Sequence, residues 1–119
     1  MSKKISLNLS SFSKQPFGRY PTDGPYCGEI YREKVLIPIL NDADLDILTL
    51  NLDGLDIELG SSFLEETFGG LVRTKKVSIK IIENKLKIVS SDSYDLQRIR
   101  DYIKKAKDNI QGYAALKNG

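Results

Sequence analysis

The sequence predicts a single α/β domain built on a small mixed β-sheet of about four strands. Segments that alternate apolar and polar residues, the period of a half-buried strand, occur between segments with apolar residues every three or four positions, the period of an amphipathic helix. The chain has 119 residues, of which 40% are hydrophobic and 29% charged, which suits one domain with one hydrophobic core. Strands that alternate with helices along a chain are typical of the α/β class.

The first half of the chain contains two predicted strands and one predicted helix. Residues 5–9 alternate apolar and polar side chains, which predicts the first strand. Ser10–Pro25 is rich in Gly, Pro and Ser and is expected to be a long loop, a type of segment that is often functional. Glu29–Leu40 has the spacing of a helix, which Pro38 should end or kink. Ile47–Leu52 alternates again and predicts the second strand.

The second half begins with Leu55–Leu59, which continues the alternating pattern, and then gives a second helix over Phe63–Leu71. Val77–Ile82 is ambiguous: its alternation favours a strand, although one or two helical turns also fit. Leu86–Val89 is the next strand candidate. The last helix should be capped by Ser91–Ser93 and should stop near Gly112, so that residues 1–112 form the domain and residues 113–119 a tail.

Composition argues against several classes of function. The net charge is +2, so the charge balance gives no strong attraction to nucleic acid or to an anionic membrane. The chain has no histidine, and therefore lacks the usual general base near neutral pH and the commonest metal ligand. A non-enzymatic protein without metal or cofactor is expected. The single cysteine, Cys27, and the absence of a long apolar run favour a cytoplasmic protein that does not enter the membrane.

Gly60-Ser61-Ser62, at the start of the second helix, is the most informative motif. Ser62 and Glu65 have the S-x-x-E spacing of a capping box, which predicts that their side chains cap the helix. Ser61 would then be a spare hydroxyl at the positive end of the helix, where it is a phosphoacceptor candidate. In the alternative interpretation the serines cap the helix and have no further role.

The loop over Pro16–Glu29 is the second candidate region. It lacks the spacing of a phosphate-binding P-loop, and its Asp23-Gly24 pair fits a tight turn. Arg19 and Tyr20 either anchor that turn or contact a partner, because Arg and aromatic residues are enriched at interfaces. In the alternative interpretation the loop is purely structural and is packed by its aromatic residues, which are Phe17, Tyr20 and Tyr26. Cys27 is expected to cap or pack the following helix.

Two other classes of function stay open at this point. A nucleic-acid-associated or antiviral-defence accessory protein would use the basic residues, which are Lys3, Lys4, Arg73, Lys75, Lys76 and those of the last helix. A small enzyme would have to use Cys27 or Asp53, but no pair of base and nucleophile is visible in the sequence.

Three segments together resemble the bacterial STAS-like family of unknown function, which is distantly similar to the STAS domains of anti-sigma factor antagonists. The segments are Gly18-Arg19-Tyr20 with Asp23-Gly24-Pro25, Gly28-Glu29 with Arg32-Glu33 and Leu36, and Gly60-Ser61-Ser62-Phe63-Leu64-Glu65-Glu66 with Phe68-Gly69-Gly70-Leu71. The third segment is the most specific of the three.

The resemblance implies a sheet with helices packed mainly on one face, no enzymatic activity, and regulation by protein contact. It also implies partner switching with a histidine-kinase-type ATPase, in which Ser61 is the phosphoacceptor. Gly60 stands where STAS domains have an acidic residue, and Phe63 stands where they have a glycine. The partner-binding candidates are Arg19, Tyr20, Asp23, Gly24, Gly60 and Phe63.

Overall fold

The sheet has three parallel strands in the computed structural model, which describes residues 2–118 and the side chains up to Ile110. The strands are β1 (Lys3–Asn8), β2 (Leu45–Asn51) and β3 (Leu86–Val89), and β2 lies in the centre. The α/β class is therefore confirmed. The predictions of about four strands and of a mixed sheet are wrong, since the described strands number three and all pairings are parallel.

The two faces of the sheet differ in burial. Leu48 pairs with Ile5 on one side and Leu86 on the other, and Leu50 pairs with Leu7 and Ile88, so these apolar side chains share one face. They belong to the hydrophobic core, which the helices cover. The opposite face carries polar and partly exposed side chains, which are Lys4, Ser6, Asn8, Ile47, Thr49, Asn51, Lys87 and Val89.

Within residues 2–118, five α-helices accompany the strands, and Pro21–Asp23 forms a single 3₁₀ turn. Helix α1 (Leu9–Phe12) is a short turn inside the predicted loop, and α4 (Ile79–Lys85) leads directly into β3. Helix α2 (residues 28–40) and helix α3 (residues 61–73) form the two crossover connections. Helix α5 (Ser93–Asn118) packs on α3.

Helices α2 and α3 both contain a π-helical turn. In α2 the segments Gly28–Tyr31 and Ile37–Leu40 flank the π turn Arg32–Leu36. This turn ends two residues before Pro38, which has no N–H and whose ring would crowd the carbonyl four residues earlier in a regular helix. The helix thus continues through Pro38 to Leu40 instead of ending there.

In α3 the segments Ser61–Leu64 and Gly70–Arg73 flank the π turn Glu65–Gly69. The Gly70 N–H donates to the Glu65 carbonyl, five residues earlier. Turns of this kind are rare and often mark functional sites.

Two segments with strand-like alternation, residues 77–82 and 55–59, are not strands in the structure, and the first of them was open to either interpretation. Residues 79–82 form the first turn of α4. Ser78 caps this helix, because its hydroxyl accepts a hydrogen bond from the Ile81 N–H at 3.2 Å. Residues 55–59 form an irregular segment, because the chain turns at Gly54, whose φ is +87°. Arg98 of α5 holds the end of this segment, because its guanidinium donates a hydrogen bond to the Leu59 carbonyl at 2.7 Å.

The last helix agrees with the prediction at its start and differs at its end. Asp92 accepts a hydrogen bond from the Tyr94 N–H at 2.9 Å, as expected for the cap. The predicted stop at Gly112 is wrong, because α5 continues to Asn118. The division between a domain at residues 1–112 and a tail at 113–119 stays a prediction. Within residues 2–118, none of the helices combines the length and apolar composition needed to cross a bilayer.

Candidate interaction site at the start of helix α3

The first turn of α3 presents two serine hydroxyls to solvent. Gly60 is the N-cap residue, in an extended conformation, and its carbonyl accepts from the Leu64 N–H at 3.2 Å. Ser61 and Ser62 follow as the first two helical residues, and both are exposed. Neither hydroxyl hydrogen-bonds to any other residue whose side chain the structure describes. The predicted capping box of Ser62 and Glu65 is therefore wrong, since the N-cap is Gly60 and the helix begins two residues too early for it.

Glu65 binds arginines from two other segments instead. Arg19, from the loop, donates to Glu65 Oε1 at 2.5 Å and to Glu66 Oε1 at 3.1 Å. Arg73, two turns further along α3, donates to Glu65 Oε2 at 2.5 Å and to Oε1 at 3.1 Å. The Glu65 carboxylate thus joins the loop to the helix, and charge-assisted hydrogen bonds of this kind are stronger than neutral ones.

Glu66 forms the buried part of the same network. Arg32 of α2 donates through Nη1 to Glu66 Oε2 at 2.6 Å and to the Glu66 carbonyl at 2.7 Å. The side chains of Arg32 and Glu66 are only 5% and 9% exposed. Arg32 Nε also reaches Glu33 at 2.8 Å, and Glu33 pairs with Lys76. A buried charge needs such partners, since an unpaired one is strongly unfavourable.

We call the five central residues of this network, Arg19, Arg32, Glu65, Glu66 and Arg73, the arginine–glutamate clamp. Burial raises the pKa of the Glu65 carboxyl, but hydrogen bonds from Arg73 and Arg19 outweigh it, so the pKa lies below its usual range. The hydrogen bond to Glu65 raises the pKa of Arg19. Glu65 and Arg19 are therefore both charged at neutral pH, and the clamp fastens α2, α3 and the loop together.

Three glycines leave room for these contacts. A Cβ at Gly70 would collide with the Arg32 guanidinium, and one at Gly69 would collide with the Glu65 carboxylate. A Cβ at Gly28 would lie 2.7 Å from the Phe63 carbonyl, at the closest approach of α2 to α3. The Gly69-Gly70 pair is therefore a steric requirement of the clamp.

The loop before α2 is organised by Asp23. Its carboxylate accepts from the backbone N–H groups of Arg19 at 2.9 Å and Tyr20 at 3.0 Å, and these bonds lower the pKa of Asp23. Gly18, at φ +89°, lies so close that a Cβ there would be 2.5 Å from the Asp23 Cβ. Gly24, at φ +151°, closes the turn. Asp23, Gly24 and Arg19 thus shape the loop, which places them among its structural residues.

Four of the predicted site residues line one pocket, whereas Arg19, Tyr20, Asp23, Gly24 and Glu65 lie outside its lining. Its volume is about 280 Å³, and it is lined by Pro16, Phe17, Gly18, Ile57, Glu58, Gly60, Ser61, Ser62 and Phe63. We call the exposed part of this region, formed by Phe17, Glu58, Gly60, Ser61 and Ser62, the helix-start surface. The Phe17 ring is 65% exposed and Tyr20, on the same loop, is 48% exposed. The interpretation in which these aromatic residues pack the loop is therefore wrong for Phe17.

One predicted contact residue and one predicted packing residue are buried. The Phe63 side chain is only 1% exposed and belongs to the core, so Phe63 as a direct partner contact is wrong. Cys27 is completely buried at the N-cap position of α2, which confirms its packing role. Asp53, the other residue of the enzyme alternative, accepts hydrogen bonds from the N–H and hydroxyl of Ser91.

The basic residues of the nucleic-acid alternative are partly neutralised. Lys3 pairs with Asp42 at 2.7 Å, Arg73 with Glu65, and Lys76 with Glu33. Cations that already pair with carboxylates attract phosphates less strongly, because the local field is reduced. This arrangement does not favour the nucleic-acid alternative.

The sequence patterns identified two residues of the clamp but did not predict that they interact. Arg19 stood out as a partner candidate and Glu65 as a capping residue, yet 46 positions separate them in the chain. The available signal was Gly69-Gly70 within a helical pattern, since glycine in a helix interior costs about 1 kcal/mol relative to alanine and often has a packing reason.

The comparisons with known proteins place these elements in a family. The model of the STAS-like domain of unknown function (DUF4325) matches residues 28–96, more than half of the chain. The match begins with the first residue of α2 and ends in the first turn of α5. It includes Ser61 and every clamp residue except Arg19. Searches of curated proteins and of solved structures found no significant match.

Proposed function

The chain belongs to this family of STAS-like domains, and from that premise we propose that it is a non-enzymatic regulatory module that acts by binding another protein. Its membership confirms the resemblance to the STAS-like family that the sequence motifs indicated. The observation that carries the proposal is the helix-start surface, where two hydroxyls that make no hydrogen bond to the described side chains lie beside an exposed aromatic ring, next to the clamp.

The composition of this surface suits a protein partner. An exposed phenylalanine offers a large apolar area at a small cost in side-chain entropy, and such residues often anchor interfaces. Phe17 supplies this anchor, while Ser61 and Ser62 supply donors and acceptors that no described side chain uses. Because the clamp holds the loop against α3, the surface exists before the partner arrives, which reduces the ordering cost of binding.

Phosphate on Ser61 is the proposed switch. A kinase-type ATPase partner would transfer the γ-phosphoryl group of ATP to the Ser61 oxygen, releasing ADP, while its general base takes the hydroxyl proton. The product would carry about −1.5 to −2 charge in the first turn of α3, where the helix dipole tolerates it. Glu58 lines the same pocket, so the surface would become strongly acidic and would repel an acidic partner face.

The test is to incubate the domain with ATP and a purified histidine-kinase-type ATPase, and to measure the intact mass. We expect one phosphoryl group on the wild type and on Ser62→Ala, and none on Ser61→Ala. The two variants differ only in which of two adjacent exposed hydroxyls remains, so they control for nonspecific transfer. An unmodified wild type, together with partner binding that Ser61→Asp leaves unchanged, would reject the switch.

A further inference from the structure

A second surface lies at the outer edge of β3, independent of the helix-start surface. It is a groove of about 370 Å³ between this edge, α4 and α5. Its floor is apolar and consists of Ile82, Leu86, Ile88, Leu96, Ile99 and Ile103. Ile82 and Ile99 are buried, whereas the other four are only partly covered. In the groove, apolar side chains that lie between the sheet and the helices are accessible to solvent.

The strand at this edge has unpaired backbone groups. Among the described residues, β3 pairs with β2 alone. The Val89 carbonyl faces the β2 side, where it accepts from the Leu52 N–H at 2.9 Å. Because successive residues of a strand direct their N–H and C=O groups to opposite sides, Ile88 directs both groups outward. An exposed edge of this kind is a template for another strand.

The charge around the groove is positive. Lys87 lies on the open face of β3, and Arg100 lies on the α5 side. In the part of the chain whose side chains are described, neither forms an ion pair. Glu83, the acidic residue of the groove, is already paired with Lys107 at 2.6 Å.

We propose that this edge binds an extended acidic segment of a partner protein as a fourth strand. Alternate apolar side chains of that segment would fill the groove beside Leu86 and Ile88. The side chains between them would face the open side of the sheet, where an acidic residue meets Lys87 as a cross-strand pair. Backbone hydrogen bonds to Ile88 would set the register, as in other strand-addition complexes.

The same charges argue against a second copy of this chain as the occupant. An isologous pairing of two β3 edges would bring Lys87 near the Lys87 of the other copy. Pairing of β3 with a β1 edge would place Lys87 on the same face as Lys4. Like charges opposite one another destabilise a strand pair.

The test uses a short capped peptide in which valine alternates with glutamate, titrated into the ¹⁵N-labelled chain. We expect chemical-shift changes centred on Lys87, Ile88 and Val89, and slower hydrogen exchange of the Ile88 amide. A peptide with N-methyl groups on alternate backbone nitrogens, in either register, should bind at least about tenfold more weakly, because it lacks donors for the edge.

The charge requirement is tested with two matched double variants. Lys87→Glu with Arg100→Glu should weaken binding about tenfold, and a peptide of valine alternating with lysine should bind this variant in preference to the wild type. Lys80→Glu with Lys105→Glu changes the net charge equally at exposed positions outside the groove, and should alter the affinity less than about threefold.

Three results would overturn the proposal. The first is shift changes that map away from β3 and α5, and the second is equal weakening by both double variants. The third is a wild-type dimer that Lys87→Glu disrupts, which would identify a second copy as the occupant. Each variant's own ¹⁵N spectrum shows that it is folded before the titration, so loss of binding is not confused with unfolding.

Discussion

The first turn of helix α3 and the two turns that follow it differ in how their polar groups are satisfied. In the first turn, Ser61 and Ser62 are exposed and make no hydrogen bond to a described residue. In the next turns, Glu65 and Glu66 are bound by three arginines from three segments of the chain. The difference teaches that one helix can serve two purposes: its middle fixes the architecture, and we propose that its exposed start binds a partner.

Loss of the buried clamp pair should have the largest effect. Arg32→Met leaves the Glu66 carboxylate buried without its main partner, so we expect the free energy of unfolding to fall by about 3–5 kcal/mol. Urea denaturation followed by circular dichroism measures the change. The matched control is Arg32→Met with Glu66→Met, which removes both charges and should recover at least half of the loss. Equal stability of the single and double variants would show that the buried charge is not what destabilises the protein.

The glycine that makes room for Arg32 should have the second largest effect. Gly70→Ala would usually favour a helix, but here the added methyl group collides with the guanidinium, so we expect a loss of about 1–3 kcal/mol. Gly60→Ala is the control, because open space surrounds Gly60 and the change should cost less than about 1 kcal/mol. Thermal unfolding of the two variants compares them. A more stable Gly70→Ala would mean that the clamp has no steric requirement there.

The Arg19–Glu65 pair, on the exposed side of the clamp, should contribute less to the free energy of unfolding than the buried Arg32–Glu66 pair. Its contribution should also depend on pH. The folded pKa of Glu65 is lower than its unfolded value, about 4.5. The stability that Glu65 contributes is therefore fully present above that value and is lost as the pH falls through the folded pKa. Arg19→Met should cost about 1 kcal/mol at pH 7 and should flatten this acid dependence.

The measurement for Arg19→Met is urea denaturation between about pH 3 and pH 7. Lys3→Met is its control, since it breaks the exposed ion pair with Asp42, which shares no residue with the clamp. An acid profile of Arg19→Met identical to that of the wild type would remove Arg19 from the account of Glu65.

The smallest effect is expected at the helix start. Ser62→Ala removes an exposed hydroxyl that caps nothing, so the free energy of unfolding should change by less than about 0.5 kcal/mol. A capping serine would instead cost about 1 kcal/mol. Urea denaturation distinguishes the two values, with Ser78→Ala as the positive control, because Ser78 caps α4.

The sequence was sufficient for features that depend on neighbouring residues. The alternation over residues 5–9 and 47–52 located β1 and β2, and the Ser91–Ser93 segment located the cap of α5. The loop and the helix start were both identified, although their contact was not. Local spacing alone cannot show which of two adjacent serines begins a helix, and α3 begins at Ser61 with Gly60 as its cap.

The errors concern interactions between distant residues. The S-x-x-E spacing of Ser62 and Glu65 was misleading because Glu65 has stronger partners in Arg19 and Arg73. The choice between strand and helix at residues 77–82, which their alternation left open, depends on burial of Ile82 in the core as well as on the local Ser78 cap. The Arg32–Glu66 pair spans 34 positions, and no local pattern specifies such a contact.

The central claim is that the start of α3 controls binding without supporting the fold. The direct measurement compares unmodified and Ser61-phosphorylated chain on an immobilised kinase-type ATPase, with urea unfolding of the same two samples. The account predicts that phosphate weakens capture at least about tenfold while the free energy of unfolding changes by less than about 1 kcal/mol. Equal capture of both samples, or a loss of capture that accompanies a loss of several kcal/mol in stability, would contradict it.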